Sequence, residues 1–301
     1  MEYFRSILNT IGHTPMLDLR RLNGAEIFAK AEFLNPGGSV KDRVALYIVQ
    51  QSEKLSLLKP GMTIMEATSG NTGIGFALVG VQRGYRVVIV MPENMSEERK
   101  KIIRALGAEL ICTSAAAGIT GSVERVKEMA AADPNVFVPG QFVNPLNPET
   151  HYLNTAPEIW EQMEGNVDAF VAGVGSGGTL GGVGRVLKEK RKDIRIVAVE
   201  PATSAALLGQ EPGLHNIQGI GDGFIPPVLD TSLIDQVVTV TDDAAIETTR
   251  RVARVEGALV GTSAGANVWA SLRVAREMGP GKTVVTVLPD RAERYFSTAL
   301  I

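Results

Sequence analysis

The sequence predicts an α/β protein of two lobes, each built on a mainly parallel sheet flanked by helices. Three observations predict it. Short β-branched runs alternate with longer amphipathic stretches along the 301 residues, the pattern of strands joined by crossover helices. These units fall into two groups, residues 35–145 and 165–290, with an Asn- and Pro-rich stretch, Gln141–Tyr152, as the crossing between them. Many of the 32 glycines gather in a few turns that follow a strand and precede a helix, where backbone N–H groups can hold an anion.

The strands expected are Glu26–Ala31, Thr63–Ala67, Arg86–Met91, Glu109–Ile111, Ala169–Val174, Arg195–Glu200, Gln236–Thr241 and Thr283–Leu288. The helices expected are Val40–Glu53, Thr72–Arg83, Ser96–Leu106, Gly121–Ala132, Pro148–Glu164, Thr179–Lys190, Asp243–Glu256 and Ala264–Met278. The chain is longer than one core usually serves, which fits two such groups.

Composition narrows the classes of function. A net charge of −3 gives no footprint for nucleic acid or for an anionic membrane surface. No apolar run is long enough to cross a bilayer, and the amino terminus has no signal-peptide pattern, so a cytoplasmic protein is expected. The single cysteine, Cys112, excludes an intramolecular disulfide and is expected to be a buried thiol. His13, His151 and His215 share no metal-ligand spacing and are expected to be structural or exposed, so no metal is expected.

Four loops carry the chemistry. In Asn35–Arg43 a Pro-Gly-Gly turn and Ser39, read as an N-cap, place Lys41 in the first turn of a helix. The positive end of the helix disfavours a cation there, so its amine should be easier to deprotonate, as an imine-forming lysine requires. Alone, the loop reads more readily as a solvated surface lysine. Thr68-Ser-Gly-Asn-Thr-Gly73 follows a strand and opens a helix, a cradle for a carboxylate or phosphate or simply a tight α/β turn. Gly173, Gly175 and Gly178 match the dinucleotide pattern, and Glu200 ends the next strand, so a nicotinamide dehydrogenase fits this loop alone. In Gly261–Ala266, Ser263 either caps a helix or offers its hydroxyl to a ligand. Together the loops supply an amine, two anion cradles and a neutral hydrogen-bonding group, an inventory that matches an aldehyde cofactor with a phosphate arm and an amino-acid substrate.

In order and spacing these loops resemble the cysteine synthase (O-acetylserine sulfhydrylase) and cystathionine β-synthase family of pyridoxal-phosphate (PLP) enzymes. The resemblance spans nearly the whole chain, from IGHTPM through NPGGSVKDR, TSGNTGIG, QFVNPLNP, GSGGT, IQGIGDGFIP and GTSAGA to LPDRAERYFST. It implies a tryptophan-synthase-β-like fold (fold type II), with residues 1–12 and 35–145 as a smaller mobile lobe and 13–34 and 146–301 as a larger cofactor-anchoring lobe. It implies that Lys41 carries PLP and shuttles the Cα proton, and that Asn71 meets the ring hydroxyl. Gly175, Ser176, Gly177, Gly178 and Thr179 would cradle the phosphate, and Ser263 would face the ring nitrogen. Thr68, Ser69, Thr72 and Gln141 would bind the substrate carboxylate, while Gly219, Ile220 and Gly221 would close over its amino group. It further implies a homodimer, a possible serine acetyltransferase tail as partner, and a bare catalytic core.

Two departures stand out. Asp222 sits where the sulfhydrylase pattern has a small residue. An acid beside the β-carbon would repel bisulfide and could hold the ammonium of a second amino acid or take the proton of its thiol, favouring L-cysteine or L-serine as first substrate, with lanthionine or cystathionine as product. As an alternative Asp222 is an exposed loop acid. Arg291-Ala292 replace a small Ser-Gly, with no effect expected at the cofactor. A dehydrogenase leaves Lys41 and the Thr68–Gly73 loop unexplained, and a non-catalytic binding subunit is at odds with the presence of Lys41, Asn71 and Ser263.

Overall fold

The structure, a computed structural model, describes residues 3–298 and 300; Met1, Glu2, Ala299 and Ile301, at the ends of the expected lobes, lie outside the described residues. Two sheets organise it. The first is formed by β3 (Thr63–Ala67), β4 (Arg86–Pro92), β5 (Glu109–Thr113) and β6 (Val136–Phe137), in the order β5-β4-β3-β6, all parallel. The second joins β1 (Met16–Asp18), β2 (Ile27–Lys30), β7 (Ala169–Gly173), β8 (Arg195–Pro201), β9 (Gln236–Val240) and β10 (Val284–Val287), in the order β1-β2-β10-β7-β8-β9. Only β1 runs antiparallel, against β2.

The helices are α1 (Lys41–Lys54), α2 (Asn71–Gln82), α3 (Glu97–Ala105), α4 (Gly118–Ala132), α5 (Leu146–Thr150), α6 (Ala156–Gln162), α7 (Gly178–Lys190), α8 (Asp242–Glu256) and α9 (Thr262–Met278). They cover both faces of each sheet, which is why the strands read as nearly continuous apolar runs. Along β7, Ala169 and Val171 pack with α8 and α9, whereas Phe170 and Ala172 pack with α6 and α7. In the smaller sheet Ile64 and Ile89 meet α1 and α2, and Met65 and Val88 meet α4.

All eight expected strands are present, with ends shifted by a residue or two, but β1 and β6 were not expected; three and two residues are too short for an alternating pattern to register. The helix expected over Pro148–Glu164 is three pieces: α5, a π-helical segment at His151–Thr155, and α6. The stretch Gln141–Tyr152 is accordingly helical from Leu146. Cys112 is exposed rather than buried, because β5 is an edge strand of its sheet and its flank is left uncovered there. Arg291 takes a structural place: its Nε donates to the Phe33 carbonyl at 2.8 Å, tying the carboxyl-terminal segment to the loop before α1. Among the described residues no helix is long and apolar enough to cross a membrane, and no cluster of His, Cys, Asp or Glu could hold a metal ion.

Candidate active site

Four helices, α1, α2, α7 and α9, begin around one cavity of about 360 Å³, a volume at the lower end of the ~300–1,000 Å³ typical of small-molecule sites. Their unpaired N–H groups and positive ends favour anions there. The cavity lining includes Lys41, Thr68, Ser69, Asn71, Thr72, Gln141, all of Gly175–Thr179, Gly219–Asp222 and Ser263. Every site residue expected from the sequence is therefore brought to one place.

Lys41 opens α1, and its Nζ donates to Ser176 Oγ at 3.1 Å. Burial pushes its amine down to about 8, while the carboxylates of Asp222 and Asp290 pull the other way. Ser39 does not cap the helix: Val40 occupies the cap position, and Ser39 Oγ instead accepts the Lys41 N–H at 3.2 Å.

The Thr68–Gly73 loop joins β3 to α2. Thr68 Oγ1 accepts the Gly70 N–H at 3.0 Å, and Thr72 Oγ1 donates to Gln141 Oε1 at 2.6 Å. Asn71 Nδ2 donates to Asp290 Oδ2 at 2.6 Å, leaving Asn71 Oδ1 buried without a partner.

The Gly175–Thr179 loop joins β7 to α7. A Cβ on Gly175 would lie 2.3 Å from the Gly219 carbonyl oxygen, so only glycine lets these two backbones approach, and one on Gly178 would lie 2.0 Å from Oδ1 of the Asn147 side chain, which its own hydrogen bonds hold in place. Gly177 precedes α7 with φ +79°, a left-handed conformation natural to glycine. The loop is a dinucleotide-type turn in shape, but Glu200 is committed elsewhere: its carboxylate accepts the Leu207 N–H at 3.1 Å.

Ser263 is not a cap. Gly261 precedes α9, Ser263 is the second residue of the helix, and its side chain borders the cavity. Asp222 is not an exposed loop acid: it lines the cavity, burial raises its pKa, and Lys41 and His215 oppose that rise.

Several residues that shape the site were missed. Asn147 Nδ2 donates to the Gln141 carbonyl at 2.8 Å and to Ser176 Oγ at 3.0 Å, linking the two anion cradles. Asn267 Oδ1 accepts the Gly173 N–H at 2.8 Å and fixes the end of β7 against α9. His215, expected to be bland, lines the cavity with Nε2 3.0 Å from the Gly221 carbonyl. Asp290 is fully buried between Asn71 and Tyr295. Of these, Asn147 lay inside the QFVNPLNP stretch and Asp290 inside LPDRAERYFST, but neither was singled out there; Asn267 and His215 lay outside the motifs.

The family described as pyridoxal-phosphate dependent enzyme has a model that matches residues 7–290. The chain belongs to this family. Among its relatives, a cysteine synthase of Staphylococcus aureus (strain Mu50 / ATCC 700699) is 50% identical over 299 residues, 98% of this chain and 96% of that protein. The O-acetylserine dependent cystathionine beta-synthase of Helicobacter pylori superposes with a TM-score of 0.95 at 42% identity, covering 100% of this chain and 99% of that one. A hydrogen sulfide-producing enzyme of Fusobacterium nucleatum superposes with a TM-score of 0.94 at 39% identity, covering 98% and 100%.

The residues present fit the family's cofactor. An imine-forming aldehyde needs a buried amine near neutrality, which Lys41 supplies. A phosphate needs a helix N-terminus whose backbone can approach closely, which Gly175 and Gly178 provide. A ring substituent needs a polar partner, and the orphaned Asn71 Oδ1 is one. In this PLP enzyme, then, the amine and the phosphate-type loop already touch through Lys41 and Ser176.

Proposed function

We propose that this enzyme catalyses β-replacement in the manner of cysteine synthase, converting O-acetyl-L-serine and sulfide to L-cysteine and acetate. The single observation that carries this reading is the shared cavity: a buried amine with a pKa of about 8 stands beside two separate anion cradles, one suited to a phosphate and one to an α-carboxylate. When bound, the cofactor withdraws electrons from Cα, which makes the Cα proton acidic and lets the β-substituent leave.

The chain's own residues divide the remaining work. Lys41 holds the cofactor and, once freed by the substrate amine, takes the Cα proton and later returns it. Gly175–Thr179 hold the phosphate, Asn71 the ring hydroxyl and Ser263 the ring nitrogen. A neutral hydroxyl opposite that nitrogen leaves it unprotonated, which favours prompt loss of the β-group. Thr68, Ser69, Thr72 and Gln141 orient the carboxylate, and the Gly219–Gly221 turn covers the amino group. We assign residues 1–12 and 35–145 to a lobe that moves over the substrate and excludes water. The resemblance also supports a pair of identical chains, and a cavity open to the tail of a serine acetyltransferase.

A second reading is favoured by one observation: Asp222, a raised-pKa acid, lines the cavity with Lys41. In this reading L-cysteine or L-serine is the first substrate and an amino-acid thiol the nucleophile, giving lanthionine or cystathionine with release of hydrogen sulfide or water. The name of the Fusobacterium relative, a hydrogen sulfide-producing enzyme, is consistent with that release, whereas the Helicobacter relative's name supports the cystathionine product but with O-acetylserine as first substrate.

The visible spectrum of the PLP-loaded protein, followed as O-acetyl-L-serine is added, tests the first reading. Conversion of the cofactor band to a persistent new band supports it. A band that ignores O-acetyl-L-serine but responds to L-cysteine or L-serine supports the second.

A further inference from the structure

Glu66 is a carboxyl group that the reaction above does not use. It lies on β3, two residues before the Thr68 loop, and is only 3% exposed. Strand geometry does not require an acid there, and a carboxyl buried for packing alone would cost stability. Its partners are two backbone N–H groups: Gly140 donates to Oε2 at 2.8 Å and Gln141 to Oε1 at 3.4 Å. Those residues form the turn after β6, where Gly140 adopts φ +66°. From the turn, Gln141 reaches back to Thr72 through its side chain and to Asn147 through its carbonyl.

Resting on the proposed function, we infer that Glu66 is the positioning residue of the carboxylate cradle: by gripping the 140–141 turn it holds Gln141 against Thr72 and so sets the affinity for the amino-acid substrate. The grip needs an anion. Both Glu66 oxygens accept N–H groups, and a protonated carboxyl would turn one of them into a donor facing a donor. Burial raises the pKa of Glu66 to about 7, and the two N–H groups are what oppose the rise; no charged side chain contributes. The grip is therefore full above pH 7 and weakens as pH falls through it. The other charged or ionisable side chains lining the cavity are Lys41, Arg99, His215 and Asp222, and Glu66 bonds to none of them, so the ratio of variant to wild-type KM isolates its part.

The test compares the PLP-loaded wild type with Glu66→Gln, a neutral isostere, using O-acetyl-L-serine. The variant is expected to raise KM about tenfold with kcat within about twofold, as the loss of one charge-assisted contact predicts. Wild-type KM rises from pH 8 to 6, and the ratio of variant to wild-type KM shrinks over the same range. An unchanged KM, or a loss confined to kcat, overturns the inference. Wild type that does not turn over O-acetyl-L-serine contradicts the proposed function instead. In that case, or if Glu66→Gln fails to fold, amide exchange at Gly140 and Gln141 in the wild type decides. Protection, corrected for intrinsic rates, falls between pH 8 and 6 if Glu66 grips the turn, and unchanged protection overturns the inference.

Discussion

Lys41 Nζ lies 3.1 Å from Ser176 Oγ, so two loops 135 residues apart in sequence, one from the start of α1 and one from the start of α7, meet at a single hydrogen bond. That contact joins the amine to the phosphate-type cradle and makes the chemistry of each depend on the other. Its first consequence concerns pH. With Lys41 near 8, about a tenth of the amine is neutral at pH 7 and about nine-tenths at pH 9. The rate at which cofactor-free protein takes up PLP should therefore rise about tenfold between those values and level off above pH 9. A lysine at its ordinary value would give a rise of about a hundredfold with no plateau in that range.

Asp222 offers a test of substrate choice. It lines the cavity with Lys41 opposing its raised pKa. If it serves a second amino acid, Asp222→Ala should cut turnover of L-cysteine by about 10²-fold or more, the usual scale for losing a general base, while sparing O-acetyl-L-serine with sulfide. Steady-state rates with both substrates check this, and unchanged use of both would remove Asp222 from the mechanism.

The loop glycines permit a steric test. A Cβ on Gly175 would lie 2.3 Å from the Gly219 carbonyl oxygen, a backbone atom that cannot rotate aside. Gly175→Ala should therefore push apart the loop before α7 and the Gly219–Gly221 turn. Overpacking of this kind costs about 1–3 kcal/mol in denaturant unfolding. It should also weaken PLP binding and raise KM for the amino acid together, since both loops move. Equilibrium dialysis with PLP checks the first effect.

How much of this was legible beforehand follows from what each residue answers to. The glycine loops could be read because close approach restricts the residue type, to the Gly219 backbone at Gly175 and to the Asn147 side chain at Gly178, and long amphipathic helices such as α8 because their period persists. Asn147 could not be weighed, because its value lies in reaching both Gln141 and Ser176, a tertiary coincidence. Glu66 was hidden within an apolar strand pattern, and Cys112 was misread because strand order, which makes β5 an edge, is not written in local sequence. The π-helical turn at His151–Thr155 leaves no mark in an amphipathic pattern, yet it brings the buried His151 Nε2 to 3.3 Å from Thr179 Oγ1.

A buried ion network should anchor the site from below. The Arg43 side chain on α1 bonds Glu32 at 2.7 Å and Glu158 at 2.6 Å, and Lys30 adds a 2.7 Å bridge to Glu158. Arg43→Ala would leave buried carboxylates uncompensated, at a cost of about 3–5 kcal/mol in unfolding free energy. Burial pushes Glu158 up, but its bonds to Arg43 and Lys30 outweigh that and hold it down to about 2. Because its folded pKa is depressed, its contribution to stability is full above about pH 4.5 and is lost as pH falls toward 2. Acid unfolding of the wild type, followed by circular dichroism, should show that loss, and Arg43→Ala should unfold at higher pH.

The most direct measurement of the central claim is product formation by the PLP-loaded protein given O-acetyl-L-serine and sulfide, with Lys41→Ala alongside. The account predicts L-cysteine and acetate in equal amounts from the wild type, and a loss of at least about 10²-fold in the variant, the usual scale for removing a positioned acid–base group. No replacement product from O-acetyl-L-serine, L-serine or L-cysteine, or equal rates from wild type and Lys41→Ala, would contradict it.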